Sequence, residues 1–164
     1  MEDTLRRLPY FARLEQEHLA AVARAVRVLA PERGEVLFTE GEPCRGLYFV
    51  VRGSVKVARV SPEGREQVLT VVGPGQTFND VPVFDGGPNP ATTTALEPSV
   101  VGVVPTEVMR RLVRQHPSVA EGMLLTFAGR LRALTTLVAD LTHLDVAGRV
   151  AKVLLTYEAS SGQR

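Results

Sequence analysis

The sequence predicts an α+β fold in which helices lead into an antiparallel β-roll, sandwich or barrel, and one long helix follows. Three observations carry this. Apolar residues step helically up to about residue 30, short β-branched runs punctuated by glycine fill about 33 to 105, and an apolar heptad runs from Leu124 to Leu141.

In the first region Leu14, His18, Ala21, Val22 and Ala25 recur at three- and four-residue steps. Pro9 divides it into a short first turn and a longer helix, and Pro31 closes it. The strand candidates are Val36–Phe38, Leu47–Val51, Ser54–Val60, Gln67–Val72, Ala91–Leu96 and Val100–Val104. Ser61-Pro62-Glu63-Gly64 reads as a hairpin turn, proline presetting φ and glycine accepting positive φ. Strict alternation would place Val55, Val57 and the stem of Arg59 on one face. No helices alternate with these strands, which excludes a doubly wound sheet.

Beyond residue 105 the pattern is helical again. Thr106 is a candidate cap for a short helix that His116-Pro117 ends, and Ser118-Val119-Ala120-Glu121 reads as a capping box. Leu124, Phe127, Leu131, Leu134, Val138 and Leu141 then form a heptad seam. A helix over 118–143 would be about 40 Å long, more than a small roll can cover. The seam can serve as a core face or as a two-stranded coiled coil, and its narrowness and length favour a homodimer through residues 118–143. Asp145 is placed to cap a last helix, Val146 to Glu158.

Composition narrows the function. The 164 residues are 45% hydrophobic and 23% charged, enough for a core, and 19 basic against 18 acidic side chains leave a net charge of +1. Such a balance gives this segment no electrostatic case for binding nucleic acid. No apolar run approaches the roughly 18 residues of a membrane span. The acidic start, Met1-Glu2-Asp3, is not a secretory signal, and the single Cys44 forms no internal disulfide, so a cytoplasmic setting without membrane contact is expected.

Four segments, in this order and spacing, resemble the Crp/Fnr (catabolite activator) superfamily of transcription regulators: Leu-Phe-Thr-Glu-Gly-Glu (37–42), Leu-Tyr-Phe-Val-Val-Arg-Gly-Ser-Val (47–55), Gly-Pro-Gly-Gln-Thr-Phe (73–78) and Leu-Asp-Val-Ala-Gly-Arg (144–149). The resemblance covers nearly the whole chain. It implies a jelly-roll-like double-stranded β-helix acting as effector domain over residues 1–116, a dimerisation helix over 117–143, and a hinge at Leu144 and Asp145 opening residues 144–164. It also implies a winged helix that reads DNA after that hinge. No such pattern follows residue 158, so a fragment of a longer DNA-binding parent is expected, a naturally short protein being the alternative.

In cyclic-nucleotide binders of that family the cassette resembles Phe-Gly-Glu-Leu and, after a loop, Arg-Ser/Thr-Ala. The glutamate takes the ribose, and the arginine and hydroxyl hold the phosphate, since a buried phosphate needs a cation and several donors. The corresponding stretch here is Phe78-Asn79-Asp80-Val81, then Pro90-Ala91-Thr92. Pro90 replaces the arginine and Ala91 the hydroxyl, which removes charge-assisted bonds of about 1.5–3 kcal/mol each. Asp80 is either a ribose contact or a loop or helix-cap carboxylate. Leu134 and Thr135 fall where the long helix reads the purine. The departures argue against the standard mode of cyclic AMP binding. The effector pocket implied by resemblance therefore comprises Asn79, Asp80, Val81, Pro90, Ala91, Thr92, Leu134 and Thr135. Thr92 in a shifted register, with Arg45 or Arg65 supplying charge, would make a non-standard phosphate site, and an effector-independent scaffold is the third reading.

No cofactor is fixed by the sequence; a cyclic nucleotide or another small effector is the implied ligand class. A lone cysteine excludes a cysteine-ligated iron–sulfur cluster in this segment. Cys44, in a turn, is either an inert thiol or a redox site. His18, His116 and His143 show no paired spacing for a metal, and a haem ligand among them stays open. There is no Gly-x-Ser-x-Gly elbow, His-Glu-x-x-His motif or phosphate loop, so catalytic residues are not assigned and no enzyme is expected.

Overall fold

A computed structural model describes residues 1–143, Asp145 and Gly148. It divides into two compact units, Met1–Met123 and Leu124–Arg164. The expectations at Leu144 and for a helix over Val146 to Glu158 lie outside the described residues.

The first unit opens with α1 (Glu2–Arg7) and α2 (Gln16–Ala25), followed by strands β1 (Arg27–Leu29), β2 (Val36–Phe38), β3 (Gly46–Arg52), β4 (Val55–Val60), β5 (Glu66–Val72) and β6 (Thr77–Phe78). A short helix, α3 (Val81–Asp85), precedes β7 (Thr92–Ala95) and β8 (Val100–Pro105); α4 (Thr106–Gln115) follows, and α5 (Pro117–His143) runs into the second unit. The strands form two four-stranded antiparallel sheets, ordered β1-β8-β3-β6 and β2-β7-β4-β5, the face-to-face arrangement of a jelly roll.

Between the sheets lies an apolar cluster in which Phe38, Val55 and Val72 of one sheet meet Tyr48, Val50, Phe78, Val101 and Val103 of the other. The outer face of the first sheet is covered too, because α4 packs on β3 and β8 and α2 on β8. Hence β3 is buried on both faces and reads as an unbroken apolar run, Leu47 to Val50. Among the described residues no helix packs comparably on the second sheet, and Val36, Val60, Val68 and Val71 are exposed.

Several local expectations need correction. Residues 27–29 form a strand rather than a helix end: Val28 is β-branched, Pro31 disfavours helix just before it, and pairing with β8 satisfies the backbone. Thr106 is the first residue of α4 and makes no side-chain cap, Pro105 holding the N-cap position. The capping box does not form. Helix α5 starts at Pro117, whose fixed φ suits a first turn, while the Glu121 carboxylate accepts a bond from Arg13 at 3.1 Å. Val55 and Val57 share the core-facing side of β4 as expected, both packing on the same apolar cluster, while Arg59 is exposed and held by Glu40. The register with β5 passes from Val57↔Thr70 to Ala58↔Val68, so Leu69 is an extra residue in β5, while β4 stays in unbroken register with β7. The hairpin at Ser61–Gly64 forms as expected, with Gly64 at φ 78° and the Ser61 N–H donating to Arg65 O at 2.9 Å.

Close packing on the helix-covered face depends on Gly102. It pairs with Phe49 across β8 and β3, and a Cβ there would stand 2.1 Å from the Phe49 ring. Gly102→Ala should therefore cost about 1–3 kcal/mol in chemical denaturation, while Gly73→Ala, whose Cβ meets nothing within 4 Å, should change stability by less than about 1 kcal/mol. Equal effects would show that the Phe49 contact does not limit the packing.

Candidate functional site

The cassette begins where β6 ends. Phe78 is anchored in the core, and Asn79 then takes φ 58°, a left-handed conformation that asparagine tolerates, turning the chain into α3. This turn carries Asp80 inward. It is 3% exposed and stands at the N-cap of α3, yet its side chain makes no cap hydrogen bond there. Instead its Oδ2 accepts from the Tyr10 hydroxyl at 2.6 Å and from Thr77 Oγ1 at 3.3 Å. The carboxylate thus ties the loop between α1 and α2 to the cassette, seventy positions away in sequence.

Asn79 Nδ2 donates to Asn89 Oδ1 at 2.9 Å and to Cys44 Sγ at 3.6 Å. Asn89, buried between Pro88 and Pro90, joins the 39–42 loop: its N–H donates to Glu42 O at 2.8 Å and its carbonyl accepts from Gly41 N–H at 2.9 Å. The two arms of the cassette are therefore held together through Asn79, Asn89 and Cys44. Sequence reasoning missed Tyr10, Thr77 and Asn89. Only Asn89, a polar residue between two prolines, carries a local signal.

The remaining expected positions differ in environment. Val81 is 55% exposed, Pro90 is exposed and Ala91 is buried. Thr92 Oγ1 accepts from the Glu40 N–H at 3.0 Å. Glu40 also holds Arg59, whose Nε and Nη2 lie 2.9 and 2.6 Å from its Oε1. A guanidinium so reaches the neighbourhood of Thr92, already engaged by a carboxylate. Arg65 is exposed and stands 3.8 Å from Glu63, and Arg45 lines a separate cavity. Leu134 and Thr135 stand exposed on the helix of the second unit, where Thr135 Oγ1 donates to Leu131 O at 2.9 Å. On that helix Leu124, Leu131, Leu134 and Val138 are more than half exposed, and Phe127 is half-buried. Asp145 Oδ1 accepts from the Gly148 N–H at 2.8 Å.

Two buried polar atoms near the cassette find no partner among the described residues, Asn79 Oδ1 and Thr93 Oγ1. Thr93 is fully buried and pairs with Phe38 and Val57 in the register. Elsewhere, two histidines that are far apart in sequence meet: the His18 and His116 rings are 4.2 Å apart, with Glu17 Oε1 and Glu15 Oε2 at 3.4 and 3.9 Å from His18 Nε2. Both glutamates are exposed, and such surface pairs contribute little to stability.

The two kinds of buried polar group predict opposite responses. Tyr10→Phe withdraws a donor from a buried carboxylate and should destabilise the chain by about 1–3 kcal/mol. Thr93→Val removes a partnerless hydroxyl at similar volume and should stabilise by about 1 kcal/mol. Denaturant melts of both variants check the pair, and the same sign in both would overturn this reading of the hydrogen bonding.

The family model for the cyclic nucleotide-binding domain matches residues 30–116. A relative from Mycobacterium tuberculosis, a CRP-like cAMP-activated global transcriptional regulator, is 35% identical over 155 residues, which span 94% of this chain and 69% of that protein. Among solved structures, the N-terminal domain of a transcriptional regulator from Streptomyces coelicolor A3(2) superposes with a TM-score of 0.66 at 38% identity, over 83% of this chain and 95% of that one. The Thermus thermophilus catabolite activator protein gives a TM-score of 0.72 at 27% identity, over 82% of this chain and 63% of that one. With the two-sheet roll, the cassette between β6 and β7 and the long helix in place, the chain belongs to the Crp/Fnr family of cyclic nucleotide-binding regulators.

Proposed function

We propose that this chain is the effector-sensing and dimerisation region of a transcription regulator, acting as a switch rather than as an enzyme. The observation that carries the sensing role is the pair of partnerless buried atoms, Asn79 Oδ1 and Thr93 Oγ1, near the cassette. Leaving such groups unsatisfied costs about 1–3 kcal/mol each, and an effector that bonds to them recovers this only when bound. Such differential affinity is what an allosteric equilibrium requires. The cytoplasm is the setting in which such a regulator works. Among the described residues no helix is long and apolar enough to cross a membrane.

The effector is not expected to be gripped as a cyclic phosphate in the standard way. Pro90 and Ala91 offer neither charge nor a side-chain donor, Asp80 is bonded to Tyr10 and Thr77, and Arg59 is engaged by Glu40. The printed name of the Mycobacterium tuberculosis relative, a cAMP-activated regulator, favours a second reading, a cyclic-nucleotide site with a non-standard phosphate grip. A calorimetric and thermal-shift titration with cyclic AMP and cyclic GMP separates them. The first reading expects no saturable response to either. The second expects stabilisation, which reaches about 2.7 kcal/mol at a hundredfold excess over Kd.

The dimer rests on the second unit's helix, where Leu131 and Val138 are 65% and 61% exposed on the heptad seam. In the parent protein, repacking of this seam would reset the segment beyond Leu144 and Asp145 and, through it, a DNA-reading domain. Leu131→Asp combined with Val138→Asp should give monomers in analytical ultracentrifugation with the roll still folded. Dimers of unchanged affinity would remove the seam from the interface.

A further inference from the structure

A cavity of about 330 Å³ opens at the β1–β2 side of the first unit and shares no lining residue with the cassette. Its walls include Arg27, Glu35, Leu37, Arg45, Tyr48 and Val103. Arg27, Val103, Tyr48 and Phe78 stand in one cross-strand row over β1, β8, β3 and β6. The row therefore runs from the aromatic core outward to an exposed cation. Leu37, from the opposite sheet, packs against the same core cluster.

Polar groups contribute a substantial part of this lining. Tyr48 is only 2% exposed yet lines the cavity, with no hydrogen bond from its hydroxyl among the described residues. Burial pushes its phenol above the usual range; Arg45, which lines the same cavity, opposes that rise, while Cys44 and Glu42 add to it. Neither Arg27 nor Arg45 has a carboxylate within salt-bridge distance among the described residues, in contrast to Lys56, Arg59 and Arg13. Glu35 is the acidic group of the wall, and its Oε2 accepts the Glu32 N–H at 2.9 Å. The wall thus carries two guanidiniums and one bound carboxylate beside its apolar side chains, and Glu42, whose Oε2 accepts the Thr39 N–H at 3.0 Å, is a second negative group near Tyr48.

We propose that this cavity binds an organic monocarboxylate with an apolar body. Its head group lies between the Arg45 guanidinium and the Tyr48 hydroxyl, Arg27 supplies the second positive charge, and Leu37 and Val103 enclose the body. Guanidinium and hydroxyl together satisfy a carboxylate's oxygens, and the volume, at the lower end of small-molecule pockets, suits a single ring or a short chain. This would give the regulator a second ligand, bound apart from the cassette.

The test titrates the ¹⁵N-labelled chain with benzoate and with octanoate, using benzyl alcohol and sodium sulfate at matched ionic strength as controls. Saturable shifts with at least one carboxylate, centred on β1, Arg45, Tyr48 and Val103, are expected. Arg45→Gln, at an exposed position, should weaken binding about tenfold or more, and Tyr48→Phe should weaken it severalfold. Arg33→Gln, outside the lining, should leave it unchanged. The proposal is overturned if neither carboxylate saturates in the millimolar range, if benzyl alcohol or sulfate binds as well, or if Arg45→Gln retains full affinity.

Discussion

The architecture depends on one aromatic contact between the two sheets. Phe38 on β2, Tyr48 on β3 and Phe78 on β6 meet with ring centroids 4.8, 5.4 and 6.1 Å apart. Offset and tilted pairs at these distances add about 0.5–1.5 kcal/mol each beyond the area they bury. Their placement matters more than their sum. β6 is only two residues long and pairs with β3 alone, so its position rests on Phe78 in the core rather than on a long ladder. The residues directly after it, Asn79 and Asp80, open the cassette. A core contact thereby becomes a positioning device for the site.

From that anchor two constraints fix the cassette. The left-handed turn at Asn79 reverses the chain within one residue, and the Tyr10–Asp80 bond then holds α3 from the N-terminal side. A carboxyl group accepting from two hydroxyls at low exposure is a stable arrangement, so Asp80 is expensive to redirect. An effector that needs Asp80 must replace Tyr10 or share the carboxylate with it. Either route would tie ligand binding to the segment joining α1 and α2, the same segment whose Pro9 carbonyl leaves no room for a side chain at Gly122 of α5. Contact is thus continuous from cassette to long helix within the first unit.

The two-sheet roll was legible because glycine spacing and β-branched runs are local signals that burial on folding reinforces. The six strands expected from sequence all form. What escaped was whatever depends on partners distant in sequence. β1 and β6 are too short for their own periodicity and exist because β8 and β3 offer edges to pair with. The bulge at Leu69 escaped because it exists only in the pairing of β5 with β4, where one extra residue is absorbed in β5 itself. In the site, the departures at Pro90 and Ala91 are plain in the sequence, but the bonding of Asp80 is not. Whether a carboxylate caps a helix or accepts from a tyrosine is settled by tertiary distance, and Tyr10 shares no motif with it.

The second unit poses the opposite problem, an excess of apolar surface with a legible pattern. Leu124, Leu125, Leu131, Leu134, Leu137 and Val138 are 52–67% exposed. Full burial of such side chains contributes about 1.5–3 kcal/mol each, so covering the remaining half on two paired helices contributes on the order of 10 kcal/mol. That is comparable with the roughly 4–15 kcal/mol cost of bringing two chains together, which the proposed pairing must exceed. The polar residues among the leucines reduce the opposing terms. Thr135, Thr136 and Thr142 donate their hydroxyls to the carbonyls of Leu131, Arg132 and Val138, four residues back, at 2.8–3.1 Å. Hydroxyls satisfied within their own helix can be covered without stranding a donor. The same bond defines what the Thr135 hydroxyl can offer a neighbour. Its proton is already committed to Leu131 O, leaving lone pairs that accept. At this position the helix can accept a hydrogen bond more readily than donate one.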